Sequence, residues 1–172
     1  MIKTKGYSLW LMPEGDEYKR LAGIISDLSK RYHTPEFEPH VTLLGEVEKN
    51  EEEGMVYATS SLSHLIKPFE IRLDGLDYGG ENFKSLFVKV KADKHIINAY
   101  LLARKIFKPG DKKYMPHLSL LYGNLSPRER KAIIGKIGNF DLSFEADKIH
   151  LFSTKGEPKK WYKVNEFELK TK

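Results

Sequence analysis

The chain has 172 residues, 40% hydrophobic and 12% aromatic, which is enough apolar material for one core and excludes a disordered polymer. Its 29 Lys and Arg against 24 Asp and Glu leave a net charge of +5, a mild excess that suits a phosphate-bearing ligand without arguing for nucleic-acid binding by itself. There is no Cys, which excludes disulfides, thiolate nucleophiles and Cys-ligated metals, and no run approaches the roughly 20 apolar residues of a membrane span.

In chain order, residues 6–12 read as a short buried strand closed by Pro13-Glu14-Gly15. Entry into a strand pattern at once leaves no visible signal peptide, and the expected location is the cytoplasm. Residues 16–32 are predicted helical, with Tyr18, Leu21, Ala22, Ile25, Leu28 and Tyr32 on one face, and Thr34-Pro35 breaks the helix. A strand at 39–47 and a helix at 50–66 follow. Glu51, Glu52 and Glu53 stand at that helix start, where negative charge suits the dipole. Phe69 to Leu73 alternates as a strand, extended toward Tyr78.

The second half repeats the order: strand 86–90, helix 94–107, strand 116–122, then a helix to about Ile137. That last helix starts at Ser126-Pro127-Arg128-Glu129, with Ser as N-cap, Pro at the first helical position and Glu at the capping-box position. Closing strands are predicted near 143–153 and 161–169. The expectation is one body over residues 1–172, a bilobal duplication with lobes near 1–80 and 81–172. Its fold class is α+β: two mainly antiparallel sheets face a central cleft, with helices outside. Alternating apolar and polar positions favour this over a parallel sheet buried between helices. No exposed apolar stripe stands out, so a monomer is expected.

One stretch occurs twice. Pro39-His40-Val41-Thr42-Leu43-Leu44 matches Pro116-His117-Leu118-Ser119-Leu120-Leu121, with the histidines 77 positions apart. Residues two apart on a strand share a face, so each copy offers an imidazole and a hydroxyl together. Two such strands side by side make an acid–base kit for a phosphate: His40 and His117 as catalytic groups, Thr42 and Ser119 as donors to phosphoryl oxygens. The bland alternative is a duplicated strand with two hydrogen-bonded structural histidines. The remaining histidines, His33, His64, His95 and His150, lack the motif, and no spacing suggests zinc, so no metal and no cofactor are expected.

Two His-apolar-Ser/Thr-apolar strands in a duplicated α+β chain resemble the two-histidine (2H) phosphoesterase superfamily. The stretch Tyr114 to Tyr122 is similar to the second motif of the plant and yeast cyclic phosphodiesterases, and Tyr7 to Pro13 and Pro39 to Thr42 are similar to their counterparts. The resemblance implies metal-independent hydrolysis of ADP-ribose 1″,2″-cyclic phosphate and nucleoside 2′,3′-cyclic phosphates, the latter to 2′-phosphates. It also implies that Tyr122 lies at the substrate, although strict alternation puts it opposite His117. Plant members carry cysteines able to pair; this chain has none.

Trp10 is a candidate to stack on a base or sugar, against the commoner reading of an aromatic in a buried strand as core. Tyr114, in the approach to the second motif, is a similar candidate. Lys112 and Lys113 are candidate sources of positive potential. The lysine run from Lys155 to Lys163, with Trp161 and Tyr162, is read first as a solvated turn and second as an RNA contact. The competing functions are an enzyme acting on or joining RNA ends and a non-catalytic nucleotide- or RNA-binding module. Intact His and Ser/Thr in both copies argue against the last.

Overall fold

The computed structural model describes residues 3–48, 51–110 and 113–170. The chain order is β1 (Tyr7–Leu11), α1 (Gly15–Tyr32), β2 (Val41–Val47), α2 (Glu52–Ser63), β3 (Phe69–Asp77), a 3₁₀ turn (Asn82–Lys84), β4 (Leu86–Val90), α3 (Lys94–Phe107), β5 (His117–Leu121), α4 (Pro127–Ile137), β6 (Asp141–Ala146), β7 (Lys148–Ser153), a second 3₁₀ turn (Pro158–Lys160) and β8 (Tyr162–Glu168). The expected repeat of strand, helix, His strand, helix and strand is present in both halves.

Local signals act as the sequence predicts. α1 buries Leu21, Ile25 and Leu28 and ends at His33, which takes the left-handed conformation and donates its backbone N–H to the Ser29 carbonyl. At α4 the Ser126 hydroxyl accepts from the Glu129 N–H while the Glu129 carboxylate accepts from the Ser126 N–H, a complete capping box. α2 is shorter than expected: it stops at Ser63, with His64 as its C-cap, before Pro68 is reached. Asn50, its expected first residue, lies outside the described residues.

All strand pairs are antiparallel, in the order β6-β3-β4-β5-β2-β1-β7-β8. The two expected sheets are joined into one curled sheet through the two His strands, at the single register pair Val41 and Leu118. The halves of the sheet do not follow the halves of the chain. β3 crosses to lie between β4 and β6, and β7 and β8 return beside β1. The lobe boundary expected near residue 80 is therefore replaced by an exchange of strands. The segment expected as one strand over 143–153 is two strands meeting at Asp147, β6 in one half and β7 in the other.

Among the helices, α1 packs on β5 and α3 packs on β2, so each His strand is backed by the helix of the other half. Val41, Leu43, Leu118 and Leu120 form the apolar side of those strands and are fully buried. Burial of four such side chains stabilises the site from behind by roughly 1.5–3 kcal/mol each. No helix among the described residues is long and apolar enough to cross a membrane.

Candidate active site

Pairing of the His strands explains which side chains reach the cleft. Trp10 pairs with Thr42, but the next pair is Leu9 with Leu44, so Leu43 is an extra residue. In the second copy Phe87 pairs with Ser119 and Leu86 with Leu121, so Leu120 is extra. Both copies carry a β-bulge at the Leu-Leu doublet, and a bulge resets the alternation of faces. The residues after the doublets, Gly45 and Tyr122, return to the cleft side. Tyr122 thus lies with His117 and Ser119 despite the odd spacing.

One cavity of about 280 Å³ receives His40, Thr42, His117, Ser119 and Tyr122, together with Trp10. His40 lies just before β2, and its Nδ1 is 2.6 Å from the Glu38 carbonyl oxygen. His117 opens β5, and its Nδ1 is 2.8 Å from the Met115 carbonyl oxygen. A carbonyl only accepts, so Nδ1 holds the proton in both rings and Nε2 is left for the cavity. The same bond to the residue two positions back orients both imidazoles.

Their surroundings are not equal. Burial pulls the pKa of His40 from 6.5 down to about 4; the Glu38 carbonyl opposes this, and charge on His117 adds to it. His117 is also lowered by burial, with the Met115 carbonyl opposing, Lys84 lowering it further and Glu81 raising it. The His40 ring is stacked on Trp10 at 3.6 Å between centroids and 9° between planes, and Trp10 in turn stacks on Phe152 at 3.9 Å. His117 meets the edge of Phe87, the residue equivalent to Trp10, at 5.3 Å. The Ser119 hydroxyl donates to the Phe83 carbonyl at 2.7 Å.

Residues 5–169 match the family of cyclic phosphodiesterase-like proteins. The chain belongs to that family. It is a phosphodiesterase of the two-histidine superfamily, as the paired motifs implied. Among curated relatives, the cyclic phosphodiesterase of Arabidopsis thaliana is 27% identical over 164 residues, covering 92% of this chain and 90% of its own. The 2′,3′-cyclic-nucleotide 3′-phosphodiesterase of Kluyveromyces lactis is 26% identical over 148 residues, covering 74% and 69%. Among solved structures, a Thermus thermophilus protein superposes with a TM-score of 0.68 at 20% identity, covering 95% and 97% of the two chains. E. coli LigT in complex with 3′-AMP superposes at 0.63 and 12%, covering 97% and 99%. At these identities the structural likeness is one of fold.

In this cyclic phosphodiesterase-like protein the remaining candidates divide. Trp10 is both things weighed for it, a buried side chain at 2% exposure and a wall of the cavity. Tyr122 is stacked on Phe37 at 3.6 Å, and burial pushes its hydroxyl pKa up. Tyr114 does not reach the cavity. It stacks on Tyr100 at 3.9 Å, and its hydroxyl donates to the Thr42 carbonyl at 3.2 Å from a neighbouring groove. It therefore pins β2 next to Thr42. Lys113 lines that groove, and Lys112 lies outside the described residues.

Sequence reasoning missed Phe83 and Lys84, which reach the cavity from the 3₁₀ turn, and undervalued Trp161, which closes it. Phe83 meets Tyr122 at 5.0 Å and Trp161 at 6.1 Å, so with Trp10 they form an aromatic rim. Three of the four lysines in the run from Lys155 to Lys163 are engaged locally: Lys155 with Tyr7, Lys159 with Glu157 and Lys163 with Glu166. Among the described residues no group of three or more acidic, His or Cys side chains converges as metal ligands.

Proposed function

We propose that this protein hydrolyses nucleoside 2′,3′-cyclic phosphates, and ADP-ribose 1″,2″-cyclic phosphate by the same ring chemistry, with His40 as general base and His117 as general acid and without a metal. The carrying observation is the pair of matched Nδ1–H to carbonyl bonds that leave both Nε2 atoms for one cavity. His40 takes a proton from water, the water oxygen bonds to phosphorus, the bond from phosphorus to one ribose oxygen breaks, and His117 gives that oxygen its proton. Deep burial favours neutral His40, and a charge on His117 disfavours a second proton on His40. Between the two pKa values the pair therefore carries one positive charge, as an Nε2 proton on the less buried ring, His117.

Thr42 and Ser119 donate to the phosphoryl oxygens, Ser119 by turning its hydroxyl away from Phe83. Tyr122 acts as a neutral donor, and Trp10 as the wall that fixes His40. The name of the fungal relatives, 2′,3′-cyclic-nucleotide 3′-phosphodiesterase, supports departure of the 3′ oxygen and a 2′-phosphate product. The protein acts as a monomer on a small substrate.

The rate should be bell-shaped in pH. In kcat/KM the acid limb reflects protonation of His40 near 4, and the alkaline limb reflects loss of the His117 proton below 6.5, since both groups are lowered in the free protein. In kcat the alkaline limb moves up, because the bound phosphate anion favours imidazolium. A kcat/KM profile still flat at pH 8 would contradict this assignment.

A further inference from the structure

The motif supplies two imidazoles and two hydroxyls but no fixed charge. Of the described residues lining the cavity, Lys84 is the one lysine, and there is no arginine. Its Nζ is 3.2 Å from the Glu81 carboxylate, an ion pair in which the lysine side chain is 30% exposed and the glutamate 73%. Lys84 also lines the neighbouring groove, beside His117 and Thr42, so it stands where the two spaces meet. The backbone around it is secured: the Lys84 carbonyl accepts from Gly79, and the Asn82 carbonyl from Gly123. The pseudo-symmetric position, 77 residues earlier, is Tyr7, which is buried and held by Glu52 and Lys155. The lining also carries two carboxylates, Glu46 and Glu81, so Lys84 is the one fixed cation among the described lining residues, and its charge acts on His117.

Resting on the two-histidine reading, we propose that Lys84 is a substrate-binding residue that exchanges its Glu81 partner for the reacting phosphoryl group. A cyclic phosphodiester enters with one negative charge, and its hydrolysis yields a monoester able to carry two. A cation that meets the phosphoryl oxygens therefore gains contact energy as the reaction proceeds. Glu81 keeps the ammonium in place while the cleft is empty and competes with the substrate for it. The surface-exposed carboxylate is the weaker claimant, because an exposed ion pair contributes little and is screened by salt. The role is invisible to motif reading, since Glu81 and Lys84 look like an ordinary pair three residues apart on a surface turn.

The test measures inorganic phosphate binding by calorimetry and kcat/KM on 2′,3′-cyclic AMP for wild type, Lys84→Ala, Lys84→Arg and Glu81→Gln. Lys84→Ala should weaken phosphate binding and lower kcat/KM roughly 10- to 100-fold, and flatten the salt dependence of both. Lys84→Arg should recover most of the loss, and Glu81→Gln should tighten phosphate binding. The titrating groups that line the cavity with His117 are His40, Glu46, Glu81, Lys84 and Tyr122. Removing the lysine should shift the alkaline limb of kcat/KM upward, a change that simple loss of packing does not produce. Phosphate binding within twofold of wild type in Lys84→Ala, with the same salt dependence, would overturn the proposal. If wild type turns over normally and Lys84→Ala equals it, Lys84 is rejected and the two-histidine reading stands. If wild type is inert on cyclic nucleotides, the phosphate titration still decides for or against Lys84.

Discussion

Alanine at either His40 or His117 is expected to lower kcat by roughly 10²–10⁴-fold, while 2′-AMP still binds within about tenfold of wild type. Each substitution removes one proton-transfer step and leaves the Thr42 and Ser119 hydroxyls, the Lys84 ammonium and the aromatic rim in the cavity. The double variant should be little slower than the worse single one, because base and acid act in one concerted displacement and their losses do not add. The two sites differ in what else they cost. His117 is half-buried, so its loss should be nearly pure in kcat. His40 is 6% exposed and stacked on Trp10, so its alanine variant also leaves a void. His40→Gln keeps more of that volume and separates lost packing from lost chemistry. Full turnover in His117→Ala would leave the two-histidine account without its acid.

The second large effect is expected at Trp10. Its ring lies between His40 at 3.6 Å and Phe152 at 3.9 Å and is 2% exposed. Trp10→Ala should destabilise the fold by about 3–5 kcal/mol, which in a chain of this size is a fall in Tm of roughly 6–20 °C. It should also reduce kcat well below the decrease explained by unfolding, because His40 loses the surface that sets its ring plane. Trp10→Phe keeps a smaller ring in the stack and should recover most of the stability and part of kcat. Thermal denaturation and turnover, measured on the same samples at a temperature where each variant is folded, separate the two effects. If Trp10→Ala keeps wild-type kcat once folded, Trp10 is core only.

Much of the site was legible because its physics is local. The doubled Pro-His-apolar-Ser/Thr-Leu-Leu stretch placed His40, Thr42, His117 and Ser119 in one cavity. The capping box at Ser126 and Glu129 marked the start of α4. The position of Tyr122 was harder to read, because strict alternation fails at the Leu-Leu doublets, where both strands bulge. That doublet is the part of the motif that carries the bulge, since two adjacent apolar residues both turn to the core. The break at Asp147 also left a trace. Leu142, Phe144 and Ala146 keep one phase, while Ile149 and Leu151 keep the other. The change of phase separates β6 from β7.

What no local pattern carried was the choice of partner strand. β3 could have paired within its own half, and its alternation is the same wherever it sits. Strand exchange between the halves is a property of the assembled sheet. Lys84 was missed for a related reason: its turn is brought to the cleft by β4 pairing with β5.

The most direct measurement is hydrolysis of 2′,3′-cyclic AMP by the wild-type protein in the presence of EDTA, with the product isomers resolved. The account predicts undiminished turnover under chelation, because the two imidazoles perform both proton transfers, and 2′-AMP as the product. Activity abolished by EDTA and restored by a divalent cation would contradict it, and 3′-AMP as the product would reverse the assignment of the leaving oxygen.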